Sequence, residues 1–378
     1  MRFADTIGNP EAIEALRSMV DSDRIPHALL LAGPSGIGKM QLARAFISYI
    51  NCTDRHNGDA CGRCPSCRRI AAGNDPDIHY VYPICKKDKR SVSIDCLEQW
   101  NQMLKDSPYM DPTRWLELLE AGNSQPQIYV NEADAIAETA ALSSYADRFK
   151  IFLIWLPERM NLQAANKLLK LLEEPYEDTI FIAVSNEPAQ ILPTIMSRMR
   201  RIEMRPPQPD TILQALMNRG VSQEAAESAA TLCGGSLRRA FQLLGNTGET
   251  EEFGLIFRDT MRNAYARNAI NLRQISEQVA AMGREKIMRL LDYFSRMVRE
   301  NFIANLSIPP LNAMTRDEVQ FASRFAPYIH SGNVETMLSD TDRARADIAR
   351  NANSKIVLFD YFLQLLLALY RKPNKAPA

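Results

Sequence analysis

The chain has 378 residues, 46% apolar and 24% charged, with 45 basic and 45 acidic side chains. This is the composition of a globular protein, long enough for about two or three domains. The even charge balance argues against tight stand-alone DNA binding, which depends on neutralising phosphates, but leaves room for a local patch or a contact inside a larger assembly.

In chain order, Met1-Arg2-Phe3-Ala4-Asp5 carries no apolar segment of the kind a signal peptide needs, which points to a cytoplasmic protein. His27-Ala28-Leu29-Leu30-Leu31-Ala32 is a short apolar run, read as a strand. It leads into Gly33-Pro34-Ser35-Gly36-Ile37-Gly38-Lys39, which fits the first seven places of the phosphate-loop pattern G-x-x-x-x-G-K-[ST]. Residues 41–50 follow with helical spacing. In a strand–loop–helix context the loop amides and the helix N-terminus face phosphates, and Lys39 adds a point charge. The eighth place is Met40, where a hydroxyl normally ligands Mg²⁺; a thioether is a poor ligand for so hard a cation.

Directly after this helix come Cys52, Cys61, Cys64 and Cys67. Four thiolates at this spacing can close a tetrahedron around Zn²⁺ and leave no open position, so the site is structural. An iron–sulfur cluster uses the same ligand type, and His56 could replace one cysteine. Cys85, Cys96 and Cys233 read as ordinary buried thiols. Residues 100–127, with Trp100 and Trp115, read as an insertion holding a small amphipathic helix packed as a surface excursion, with a partner-binding element as the alternative.

Residues 151–156 and 179–184 are apolar runs of the kind found in buried parallel strands. Between them residues 161–174 place Ala165, Leu168, Leu169 and Leu172 on one helical face, and Pro175 stops the helix. The β–α–β rhythm predicts a doubly wound α/β domain. After Pro206-Pro207 and Pro209 the strand-like runs largely cease. Residues 207–245 read as short helices and 246–378 as an all-helical domain. The apolar residues 356–370 include Asp360 and Gln364 and read as a buried helix rather than a membrane span, and the Pro- and Lys-rich tail after Arg371 is expected to fray.

Taken together, residues 3–8, 25–30, the glycine loop, the inserted cysteines, Met160-Asn161, Ala165-Asn166-Lys167-Leu168-Leu169-Lys170, Leu172-Glu173-Glu174-Pro175, Leu192-Pro193-Thr194-Ile195 and Ser197-Arg198 resemble the clamp-loader branch of the AAA+ ATPases of bacterial DNA polymerase III. The likeness covers most of residues 1–206; beyond it rests on Gly235-Ser236-Leu237-Arg238 and Arg350-Asn351-Ala352-Asn353. The resemblance implies a P-loop (AAA+) α/β domain over 1–206, with a zinc module at about 51–70, a helical lid over 207–245 and an oligomerising collar over 246–378. It implies nucleotide contact by Gly33, Pro34, Ser35, Gly36, Gly38, Lys39, Met40 and the lid residue Arg238, with Ser185 or Asn186 at another sensing position. It also makes Arg198 an arginine finger for a neighbouring subunit's ATP, although Met199 stands where the family has cysteine.

Active members end the strand before Arg159-Met160-Asn161 with an Asp-Glu pair; here Trp155 and Leu156 occupy those places, with Glu158 further on. A chain lacking these groups is expected to bind ATP or ADP weakly or not at all and not to hydrolyse it alone. The implied partners are gamma/tau motor subunits and the delta subunit, with the sliding clamp and primer–template DNA reached through the complex. The rivals are a gamma/tau-like ATPase motor and a zinc-containing nucleic-acid-binding protein reading through Arg63, Arg68 and Arg69.

Overall fold

A computed structural model describes residues 1–372 except 87–89, 123, 146–148, 246, 307–313 and 315, so most of the tail expected to fray lies outside the described residues. The chain divides into two compact units: residues 1–226 with 233–242, and residues 227–232 with 243–378.

The first unit is built on a five-stranded parallel sheet. Its strands are β1 (Ala28–Ala32), β2 (Ile78–Val81), β3 (Lys150–Trp155), β4 (Thr179–Ser185) and β5 (Arg200–Glu203), in the spatial order β2-β3-β4-β1-β5. The three central strands are the apolar runs seen in the sequence and are buried at every position. Period-two alternation assigns their side chains to two cores. Leu29, Leu31, Ile151, Leu153, Ile180 and Ile182 face one side, while Leu30, Phe152, Ile154, Phe181 and Ala183 face the other. A sheet buried on both faces needs no polar alternation, which is why these segments read as continuous apolar runs. The helix Leu162–Glu173 covers the second core with Ala165, Leu168 and Leu172, and the Asn161 side chain caps it by accepting from the Ala164 amide at 2.8 Å.

The helix Lys39–Asn51 lies on the other face and is buried at every residue. That includes Arg44, whose guanidinium donates to the Ile70 carbonyl at 3.1 Å. The short helix Pro65–Ala72 of the cysteine module packs against it in the same core.

The region 100–127 departs from expectation. It contains two helices, Leu97–Asp106 and Pro112–Leu118, and is not a surface excursion. Trp100 and Trp115 are fully buried in the main core, with ring centroids 5.6 and 6.3 Å from that of Trp155. Tyr82 stacks on Trp100 at 4.1 Å, and the Trp115 indole N–H donates to the Pro83 carbonyl at 2.8 Å. Aromatic burial of this size outweighs the surface amphipathicity that the spacing suggested.

The described regular elements of the second unit are all helices; the longer ones are Thr247–Tyr265, Arg284–Asn305, Val334–Ala349 and Ser354–Leu369. Phe257, Phe294 and Phe362 centre its core. No described helix is long and apolar enough to cross a membrane.

Candidate functional site

The phosphate loop follows β1 and ends at Gly38, which caps the helix Lys39–Asn51 with a left-handed φ of 94°. Its glycines are required by crowding as well as by conformation: a Cβ on Gly33 would collide with the Met204 carbonyl, and one on Gly36 with the Ser236 hydroxyl. Lys39 is almost wholly buried and turns back on its own loop, where Nζ donates to the carbonyls of Gly33 at 2.7 Å and Pro34 at 2.5 Å. Burial pulls its pKa from 10.5 to about 8; the Glu158 carboxylate opposes that shift and the Arg238 cation adds to it. Met40 is buried in the main core, so the position of the missing hydroxyl serves packing.

Trp155 ends β3, and Leu156 follows in the left-handed region with φ 57°. Both are buried among apolar groups in the main core, and neither can hold a cation or orient water. Glu158 Oε1 accepts the amides of Asn186 at 2.9 Å and Glu187 at 3.2 Å, which ties it to the end of β4. Of Ser185 and Asn186, only Asn186 is among the residues that line the cleft at the loop.

Arg238 reaches the loop. Its amide donates to the Gly36 carbonyl at 3.1 Å and its Nη1 to the Ser35 hydroxyl at 3.2 Å. The same guanidinium meets the Asp111 carboxylate at 3.4 Å and the Met110 carbonyl at 3.4 Å. Pro108, Tyr109 and Met110 line the cleft beside Gly36, Gly38 and Lys39, and the cavity left there has a volume of ≈ 20 Å³, room for little more than a water molecule. Sequence reasoning missed Tyr109, Met110 and Asp111 because no local pattern marks them; the two tryptophans around them were the only hint.

Cys52, Cys61, Cys64 and Cys67 converge, with all four sulfurs within 4.8 Å of one another. Backbone amides point at three of them. Cys61 N donates to Cys52 Sγ at 3.2 Å, Cys64 N to Cys61 Sγ at 3.3 Å and Cys67 N to Cys64 Sγ at 3.5 Å. Burial opposes ionisation of Cys64, but the amides of Cys67 and Thr53 prevail and bring its pKa down to about 6. Burial instead raises the thiols of Cys52 and Cys67, and it is the convergence of four sulfurs that makes the cluster compatible with a metal site. His56 is turned elsewhere, its Nδ1 lying 3.0 Å from the Asp54 carbonyl.

Arg198 is far from its own phosphate loop. In the parallel pairing of β5 with β1, Arg200 stands opposite Leu29, so Arg198 lies beyond the N-terminal edge of β1, whereas the loop leaves its C-terminal edge. The separation along the strands is about 15–20 Å. Its Nη1 donates to the Thr194 carbonyl at 2.8 Å, and Nη2 pairs with Glu173 at a partly exposed site.

The sequence model of the family described as "DNA polymerase III, delta subunit" matches residues 8–208, more than half of the chain. The chain belongs to this family. A DNA polymerase III subunit delta' of Bacillus subtilis is 26% identical over 223 residues, 59% of this chain and 55% of the relative. One from Pseudomonas aeruginosa is 30% identical over 225 residues, 58% of this chain and 56% of the relative. A gamma/tau subunit of Mycobacterium tuberculosis is 29% identical over 222 residues, 59% of this chain and 32% of the relative. This chain thus spans about half the length of the delta' relatives that it matches and less of the gamma/tau one. The delta-prime clamp-loader resemblance and the expected α/β fold on a parallel sheet hold.

Proposed function

We propose that this chain is a non-hydrolysing, stator-like subunit of the bacterial sliding-clamp loader in the cytoplasm, and that it supplies Arg198 to a neighbouring subunit's ATP. The observation that carries this reading is the placement of Arg198 at the sheet edge opposite its own loop. A partly exposed guanidinium that cannot reach its own nucleotide site is free to serve another. Support comes from the loop itself, where Met40, Trp155 and Leu156 replace metal- and water-handling groups with apolar side chains. Nucleotide binding is accordingly weak or absent. Cys52, Cys61, Cys64 and Cys67 hold a structural Zn²⁺, which supplies cross-linking and no chemistry.

The partners in this reading are gamma/tau motors and a delta subunit, with the clamp and primer–template DNA reached through the assembly. Residues 246–378 serve as the oligomerising collar. The last helix, Ser354–Leu369, is predominantly apolar and leaves Ile356 and Leu367 exposed, which suits burial in an assembly. The gamma/tau relative fits an ATP-hydrolysing motor equally well, so that reading stands as the second.

The test is steady-state ATPase of a reconstituted loader with clamp and DNA, compared with this chain alone. The expected result is no turnover by the chain alone, and a loss of roughly 10³–10⁵ at the served site on Arg198→Ala, with assembly intact. Turnover by the isolated chain would establish the motor instead, and an unaffected Arg198→Ala complex would reduce this subunit to a scaffold.

A further inference from the structure

The space around the phosphate loop is taken by the chain itself. Residues 108–110 line the cleft beside the loop, and Met110 and Asp111 bond to the helix Leu237–Gly245, whose Arg238 in turn bonds to the loop. Asp111 meets Arg238 through one carboxylate oxygen at 3.4 Å and accepts from the Gln242 amide through the other at 3.2 Å. Met110 offers its carbonyl to the same arginine at 3.4 Å. Tyr109, almost wholly buried, stacks on Phe241 with centroids 5.1 Å apart and planes 16° apart. It also closes on Gly38, where an added Cβ would lie 3.6 Å from the ring.

The inserted segment cannot swing aside freely. Asp111 caps the helix Pro112–Leu118 by accepting the Thr113 amide at 3.0 Å, and Trp100 and Trp115 anchor the two flanking helices in the core against Trp155.

We infer that residues 108–111 are a built-in substitute for nucleotide. Asp111 brings the negative charge that a guanidinium beside a phosphate loop is suited to receive, and Tyr109 fills the volume a ligand would need. A bound nucleotide can leave and let such a joint open. A ligand that is part of the chain is present at permanent, high effective concentration, so the helix Leu237–Gly245 stays fastened to the loop whatever the nucleotide supply. The inference concerns the isolated subunit and stands whether or not Arg198 acts in trans.

The experiment uses the full chain alone, with two readouts: titration with mant-ATP and Mg²⁺, and amide hydrogen exchange across residues 236–242. Asp111→Asn preserves the helix cap and removes the charge. Tyr109→Leu preserves apolar bulk and removes the stack. The wild-type chain is expected to show no saturable mant-ATP binding in the micromolar range. Each variant is expected to exchange roughly tenfold faster over residues 236–242, including the Arg238 amide bonded to Gly36, with the amides of β1 and β4 unchanged. If Asp111→Asn loosens the strands as well, Tyr109→Leu decides the matter. Micromolar mant-ATP binding by the wild type, or unchanged exchange over 236–242 in the deciding variant, overturns the inference.

Discussion

Two sites share one helix and have met opposite fates. The helix Lys39–Asn51 starts from the phosphate loop and ends with Cys52 as its C-cap. At its start the ligand-binding groups are turned inward: Lys39 on its own loop carbonyls, Met40 in the core, and Arg238 on Asp111. At its end the ligand groups are preserved, with four sulfurs gathered and amides aimed at three of them. A loop that keeps its backbone shape can thus exchange its ligand for the chain's own side chains. A cysteine cluster has no such substitute, because buried thiolates in mutual contact repel unless a cation sits between them.

The largest effect expected from this difference is at the cysteine end. On the proposed reading that the cluster holds zinc, chelation or Cys67→Ser is expected to remove much of a stabilisation that is on the order of 10 kcal/mol in comparable zinc modules. Loss of amide protection across residues 52–73, together with loss of bound zinc by elemental analysis, checks this. Unchanged protection after chelation would put the two ends of the helix on the same footing.

Next comes the aromatic platform at the loop end. Trp155→Ala is expected to cost about 3–5 kcal/mol, as for other buried tryptophans. All three tryptophans, Trp100, Trp115 and Trp155, belong to this cluster, so urea unfolding followed by indole fluorescence reports on the first unit alone. A related change sharpens the contrast. Met40→Thr, Trp155→Asp and Leu156→Glu together are expected to yield no ATPase, because the new carboxylates would be buried against the tryptophan cluster. Turnover by that triple variant would mean the loop lacks only its ligands.

The smallest effect concerns Lys39. Its pKa is lowered from 10.5 to about 8 by burial, so below pH 8 the folded state bears the cost of a buried cation. Between these two values the unfolded chain binds more protons, and stability contributed by this group rises with pH. Relative to Lys39→Met, the wild type is expected to gain about 1 kcal/mol between pH 7 and 9, read from urea midpoints by indole fluorescence.

Much of the fold was legible because burial leaves periodic traces. The central strands read as continuous apolar runs, and the helix Leu162–Glu173 read from its apolar face and from Pro175. The edge strands did not. β2 is Ile-His-Tyr-Val and β5 is Arg-Arg-Ile-Glu; each pairs on one side only and tolerates exposure, so neither forms an apolar run. The cysteine spacing announced its cluster because the ligand chemistry itself fixes the residue type. The occupants of the phosphate loop left no such mark. Asp111 and Arg238 lie far apart in the chain, and a lone aspartate in a polar stretch carries no periodic signal.

The residues by themselves determined which groups were absent, with no hydroxyl at Met40 and no carboxylates at Trp155 and Leu156, and which were present, namely four cysteines at ligand spacing. Composition at a motif is a local property and can be read from the chain. Only the tertiary structure decided that Tyr109 lines the cleft beside the phosphate loop, that Asp111 pairs with Arg238, and that Arg198 lies at the far edge of the sheet from its own loop. These placements depend on strand register and on the burial of three tryptophans, which are set by packing between segments distant in sequence.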